Sequence, residues 1–85
     1  MQKTIMVVDK ENRLLALMEN YLTTEGYRVL TAPNGDEALR LARGSSPDLI
    51  LLDVVMPSEM DCDAFLKAYR RERPLPIILL MAHAD

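Results

Sequence analysis

The stretch LILLD, Leu49 to Asp53, decides the fold. An apolar run too short for a helix ends on a carboxylate, and it follows the turn residues Ser45, Ser46, Pro47 and Asp48. A run of this length bounded by turn chemistry predicts a strand buried on both faces, as in a covered parallel sheet. The same signature occurs near the N-terminus in TIMVVD, Thr4 to Asp9, again closing on an aspartate. It returns without the acid in PIILLM, Pro76 to Met81.

Helical periodicity fills the intervals. In Asn12–Glu25, the residues Leu14, Met18, Tyr21 and Leu22 recur at helical spacing, Leu15 widens the stripe, and Gly26 closes the helix as a C′ residue. YRVLT, Tyr27 to Thr31, alternates and predicts a strand near a sheet edge. Ala32 to Gly35 forms a loop, and Asp36–Arg43 predicts a short helix with Ala38, Leu39 and Ala42 inward, ended by Gly44. Met56–Met60 loops through Pro57. Asp61–Arg73 predicts a helix with an acidic start and a basic end, as the macrodipole favours, stopped by Pro74. His83, Ala84 and Asp85 close the chain. The order βαβαβαβ with right-handed crossovers predicts a parallel, doubly wound α/β sheet in one domain spanning residues 1–85. Function in such sheets gathers at the carboxyl ends of the strands, where strand order reverses. Asp9 and Asp53 end two of the apolar strands there.

Composition sets the outer limits. With 85 residues, 49% apolar and 27% charged, the chain has an ordinary globular balance for one small domain. A net charge of −3 argues against nucleic-acid binding by this domain. The one basic run, Arg70, Arg71 and Arg73, is interrupted by Glu72 and suits a solvated helix end. A single cysteine, Cys62, cannot form an intrachain disulfide. No apolar run is long enough to span a membrane, and the chain reaches a strand within three residues of its start, with no signal-peptide core. A cytoplasmic location is expected. There is no G-x-G-x-x-G or P-loop sequence to hold a nucleotide, and Asp53-Val54-Val55 lacks the second carboxylate of an aspartate-nucleophile phosphatase.

Two carboxylates at the mouths of neighbouring buried strands repel each other and are costly to desolvate. A hard divalent cation relieves that repulsion, and oxygen ligands suit Mg²⁺. A carboxylate beside such a cation can act as a nucleophile towards phosphorus and form an aspartyl phosphate. Either aspartate alone would be read more simply as a cap; the pair points to a site.

These segments resemble the receiver domain of bacterial two-component response regulators, the CheY-like branch of the flavodoxin-like folds. The resemblance is carried by IMVVDKE (Ile5–Glu11), EGYRVLTAPNGDEAL (Glu25–Leu39), PDLILLDVVMP (Pro47–Pro57) and PLPIILLMAHAD (Pro74–Asp85), which together cover essentially the whole chain. An aspartate at a strand end with a proline four residues on is the most specific of these. The resemblance implies that Asp53 accepts a phosphoryl group from a histidine kinase or phosphotransfer protein. It implies that Asp9, Asp53 and the backbone carbonyl of Val55 hold Mg²⁺, and that the domain is a signalling switch and not an enzyme.

The chain departs from the family pattern at four places. Lys10 stands where a second acidic residue is usual; this lowers the expected hold on Mg²⁺, and the ammonium either turns towards Asp53 or outward into solvent. Met81 replaces the threonine or serine whose hydroxyl meets the phosphoryl group, and a thioether donates no hydrogen bond. Ala82 keeps the small side chain that leaves the acceptor accessible. The loop SEMDC (Ser58–Cys62) is one residue longer than usual and puts Cys62 at a glycine position, where a small, partly buried residue is expected. Finally, family domains run to about 120 residues, so the fifth strand with its lysine and the last helix are not in this sequence. The fourth strand would then be an apolar edge, and self-association through it is expected. The alternative reading is a receiver-like interaction module that phosphorylation does not switch, because Lys10 and Met81 replace site residues.

Overall fold

The computed structural model describes residues 2–55 and 60–82. Most of the predicted Met56–Met60 loop, Pro57 included, and the tail His83–Asp85 lie outside the described residues. Strands and helices alternate as β1 (Thr4–Val8), α1 (Asn12–Thr24), β2 (Arg28–Ala32), α2 (Gly35–Ser45), β3 (Leu49–Asp53), α3 (Cys62–Glu72) and β4 (Ile77–Met81). Every pairing is parallel and the strand order is β2-β1-β3-β4, so the doubly wound α/β class is as the sequence predicts.

β1 and β3 are continuously apolar because both faces are covered, whereas β4, predicted as another buried strand, has Ile77, Leu79 and Leu80 exposed among the described residues. All of β1 is buried. Ile5 and Val7 pack under α1 with Leu15, while Met6 and Val8 join Ile50 and Leu52 beneath α2 and α3. On that second face α3 contributes Phe65 and Tyr69, both buried, with ring centroids 5.9 Å apart and tilted by 56°. Two large buried rings in a small core carry much of its stability; truncating a buried phenylalanine typically costs about 3–5 kcal/mol.

The ends of the elements refine the sequence reading. Asn34 caps α2 by accepting from the Glu37 N–H at 3.0 Å, so the helix begins at Gly35, one residue earlier than predicted. It also runs through Gly44, a tolerated helical glycine, and stops where Ser46 turns left-handed at φ 42°. Gly26, at φ 99°, supplies the left-handed turn after α1 that the sequence assigns to it. Tyr21 is not part of the buried stripe of α1. It is 61% exposed, and the inward residues are Leu15, Met18 and Leu22, a narrower face than predicted.

The lower ends of α2 and α3 are tied together by charge. Arg73, just past α3, donates to the Ala42 carbonyl, to the Ser46 hydroxyl at 3.0 Å and to the Arg43 carbonyl at 3.2 Å. It thereby satisfies carbonyls that the end of α2 leaves without helical partners. Beside it, Arg43 and Glu72 form a two-pronged ion pair at 2.9 and 2.8 Å. Arg73→Ala is expected to lower the unfolding free energy by about 2 kcal/mol in urea denaturation, the scale of charge-assisted bonds lost to partly buried carbonyls. Arg73→Lys should recover less than half, since an ammonium cannot reproduce the fork.

The Arg43–Glu72 pair also sets a pH dependence. Hydrogen bonding from Arg43 holds the Glu72 carboxyl below its ordinary value of 4.5. A depressed folded-state value means that the pair's contribution is present above the unfolded-state pKa and lost as pH falls through the folded-state one. The pair is at the surface and screened, so the effect is small. The stability difference between the wild type and Glu72→Gln should be measurable at pH 7 and low salt and should vanish in acid.

Candidate functional site: two carboxylates at the switch point

Strand register places the site. Val8 of β1 is level with Leu52 of β3, so the next residues along, Asp9 and Asp53, emerge side by side on adjacent strands. Neighbouring strands lie about 4.8 Å apart. The chain passes from β1 to β2 on one side and returns to β3 on the other, so the crevice between β1 and β3 is the switch point of this sheet. Asp53 is also level with Met81 of β4, and the Val54 N–H donates to the Met81 carbonyl at 2.9 Å.

Both carboxylates are buried, Asp9 at 0% exposure and Asp53 at 1%. Each is oriented by the backbone that follows it. Asp9 Oδ1 accepts from the Glu11 N–H at 2.8 Å, and Asp53 Oδ1 accepts from the Val55 N–H at 3.0 Å. The matching two-residue turns hold both side chains against their own strand ends and fix their rotation. The Asp9 N–H extends the ladder by donating to Ala32 at 3.1 Å.

The other residues singled out from the sequence surround this pair unequally. Lys10 is exposed, and the ion pairs formed among the described residues, Arg40–Glu37, Arg43–Glu72 and Lys67–Asp63, do not include it. Its exposure matches the outward of its two expected orientations. Val55 and Ala82 are exposed at the rim. Met81 is half-buried and packs with Val7 and Leu15 under α1, as a core side chain does. Among the described residues no three His, Cys, Asp or Glu side chains come together, so the acidic site has two members there.

Two features of the site were not legible in the sequence. The Cys62 thiol, on the first residue of α3, donates to the backbone carbonyl of Asp53 at 3.0 Å, tying the start of the helix to the end of the strand. A glycine at this position could not do so. Met60 lies so close over the first residue of α2 that a Cβ on Gly35 would sit 2.7 Å from its Sδ. The absence of a side chain at Gly35 therefore admits Met60. Neither contact has a periodicity or spacing signal.

Comparison with known proteins agrees with this geometry. The family model for the response regulator receiver domain matches residues 5–85. A probable transcriptional regulator, ycf27, of Cyanidium caldarium is 42% identical over 84 residues, 99% of this chain and 33% of that protein. The alkaline phosphatase synthesis transcriptional regulatory protein PhoP of Bacillus subtilis is 41% identical over 83 residues, 96% of this chain and 34% of its own length. Among solved structures, the chemotaxis protein CheY4 of Vibrio cholerae superposes with a TM-score of 0.78 at 33% identity, covering 85% of this chain and 59% of CheY4. The chain belongs to the response regulator receiver domain family of two-component systems. It spans about a third of the length of the curated relatives it matches.

The Cys62 thiol beside the end of β3 is a poor nucleophile. Burial, then the negative charges of Asp53 and Asp61, push the Cys62 thiol above its ordinary range. Modification by a neutral thiol reagent at pH 7.5 should be slower than in urea-unfolded chain by about tenfold or more. Equal rates in the two states would contradict the packing described.

Proposed function

We propose that this domain is a phosphorylation-dependent switch in which Asp53 accepts a phosphoryl group from a histidine kinase or phosphotransfer protein. The observation that carries the proposal is the pair of buried carboxylates, Asp9 and Asp53, level with one another at the switch point of the sheet.

The residues present suit Mg²⁺. It is a hard ion that keeps several waters and needs only one or two carboxylates from a protein. Asp9, Asp53 and the Val55 carbonyl would hold it, and the bound ion would offset negative charge on the transferring group. An Asp53 oxygen forms the new bond to phosphorus as the bond from phosphorus to the donor nitrogen breaks. The Val55 N–H keeps the carboxylate rotated for that approach. Ala82, small and exposed at the rim, leaves the path open. Met81 cannot donate to the phosphoryl oxygens, so the phosphorylated state has one stabilising contact fewer. Lys10 supplies no oxygen ligand, and its charge would oppose the metal, so Mg²⁺ would be held weakly.

The domain acts in the cytoplasm as a switch without catalytic output of its own. Relatives named as transcriptional regulators suggest that transcription is the process it controls. Its partner is the phosphodonor protein.

Incubation with a small-molecule phosphodonor and Mg²⁺ should add one phosphoryl mass, and Asp53→Asn should abolish it. No mass gain at Asp53 in the wild type would overturn the switch reading. Lys10→Asp is expected to tighten Mg²⁺ by about tenfold or more, the scale of exchanging a repulsive neighbour for a ligand. Calorimetric titration of wild type and variant tests this, and equal affinities would show that Lys10 does not govern the metal.

A further inference from the structure

Asp53 is the last residue of β3, and the peptide that joins it to Val54 is held from two sides. On one side the Val54 N–H donates to the Met81 carbonyl of β4 at 2.9 Å. The peptide is trans, so the Asp53 carbonyl points the other way, towards β1. β1 ends at Val8, level with Leu52 and one residue short of Asp53. The carbonyl is reached from α3, where the Cys62 thiol donates to it at 3.0 Å.

The donor stands on a fixed part of the fold. Cys62 opens α3, and Asp61 before it caps the helix by accepting from the Ala64 N–H at 2.9 Å. The Phe65 N–H donates to the Asp61 carbonyl at 3.0 Å, and the Phe65 ring is fully buried. Cys62 itself is half-buried and packs against the cluster that holds Met6, Val8 and Phe65. Its sulfur moves about a single side-chain torsion, so the start of the helix decides where it sits.

We infer that Cys62 is a positioning residue for Asp53: its thiol holds the peptide that orients the acceptor carboxylate for phosphoryl transfer. This deepens the proposed phosphorylation of Asp53 and rests on it. The two peptides that flank a residue set the direction of its Cα–Cβ bond. The peptide before Asp53 lies within β3, and the one after it is held by Met81 and Cys62. The rotation of the carboxylate is then set by the Val55 N–H at 3.0 Å. Bonds from β4, from α3 and from the turn after β3 thus converge on one residue.

Such convergence bears on rate because the attacking oxygen must meet phosphorus in line, and small misplacements of a reacting atom are costly. A thiol is a weak donor, so its bond acts by limiting the rotation of the peptide more than by adding stability. A side chain that only filled space here could be any small residue. A positioning role requires a donor, and a hydroxyl supplies one from the same position.

Phosphoryl incorporation from acetyl phosphate at saturating Mg²⁺ separates the limiting rate from the half-saturating donor concentration. Cys62→Ala and Cys62→Val both remove the donor, and the second refills the volume. Each is expected to lower the limiting rate about three- to fivefold and to leave the half-saturating concentration unchanged. Cys62→Ser keeps a donor and should stay within about twofold of the wild type. Amide exchange in the metal-free chain gives a reading that needs no phosphorylation. The Val55 N–H, which bonds the Asp53 carboxylate, should exchange about threefold faster in Cys62→Ala and Cys62→Val and at the wild-type rate in Cys62→Ser.

Equal limiting rates in all four proteins overturn the inference, even if exchange differs, because the bond then serves stability alone. So does a loss shared by Cys62→Ser, which marks the packing of sulfur, or a loss in Cys62→Ala alone, which marks a cavity. If Cys62→Ala fails to fold, Cys62→Val against Cys62→Ser decides. A wild type that takes no phosphoryl group overturns the acceptor reading and this inference with it. A phosphorylated wild type matched by Cys62→Val overturns this inference alone.

Discussion

The register between β1 and β3 is the constraint on which the rest of this domain depends. Ile5 to Val8 lie level with Leu49 to Leu52, and the two aspartates follow as the next residues on each strand. A slip of one residue would turn every side chain of a strand to the opposite face. Met6, Val8, Ile50 and Leu52, all fully buried beneath α2 and α3, would then exchange places with the residues under α1. The packed core therefore fixes the register, and the register brings two carboxylates together at a point where burial makes them costly. Stability of the sheet and chemistry of its upper end are set by the same residue pairs.

That coupling explains why so much was readable from the chain. Buried parallel strands must be apolar throughout, and such runs stand out in LILLD and TIMVVD. An aspartate at the end of each is conspicuous because it breaks the pattern. Helix caps were less legible: Asn34 reads as loop and Asp61 as the first residue of a helix, yet each accepts from the backbone N–H three positions on and so sets where its helix starts. What stayed hidden depends on three-dimensional approach. Nothing local marks the Cys62 thiol as a donor to Asp53, or Gly35 as the seat of Met60. The end of α2 was misread at Gly44, because the true terminus is stabilised by Arg73 from another helix. Tyr21 was misassigned because a helix against one face of a small sheet buries a narrower stripe than its apolar content suggests.

Charge is distributed according to depth. At the amino-terminal side of the sheet, Arg73, Arg43 and Glu72 hold α2 and α3 together near the surface, where ion pairs contribute little singly but orient the helices. At the carboxyl side the acids are buried and Lys10 is turned to solvent. A lysine inserted between the carboxylates would neutralise part of the repulsion and make a cation redundant. Exposed, it leaves the pair intact and acts on it only through solvent-screened charge.

The two ends of β4 serve different demands. Its last residue, Met81, is level with Asp53 and packs beneath α1, so the strand forms one wall of the acidic crevice. Among the described residues it pairs with β3 along its whole length. A strand this hydrophobic is required where it borders the core, since Ile78 packs against the same cluster as Phe65 and Tyr69. The same five residues thus serve the core through Ile78 and the neighbourhood of the carboxylates through Met81, and one apolar composition meets both demands.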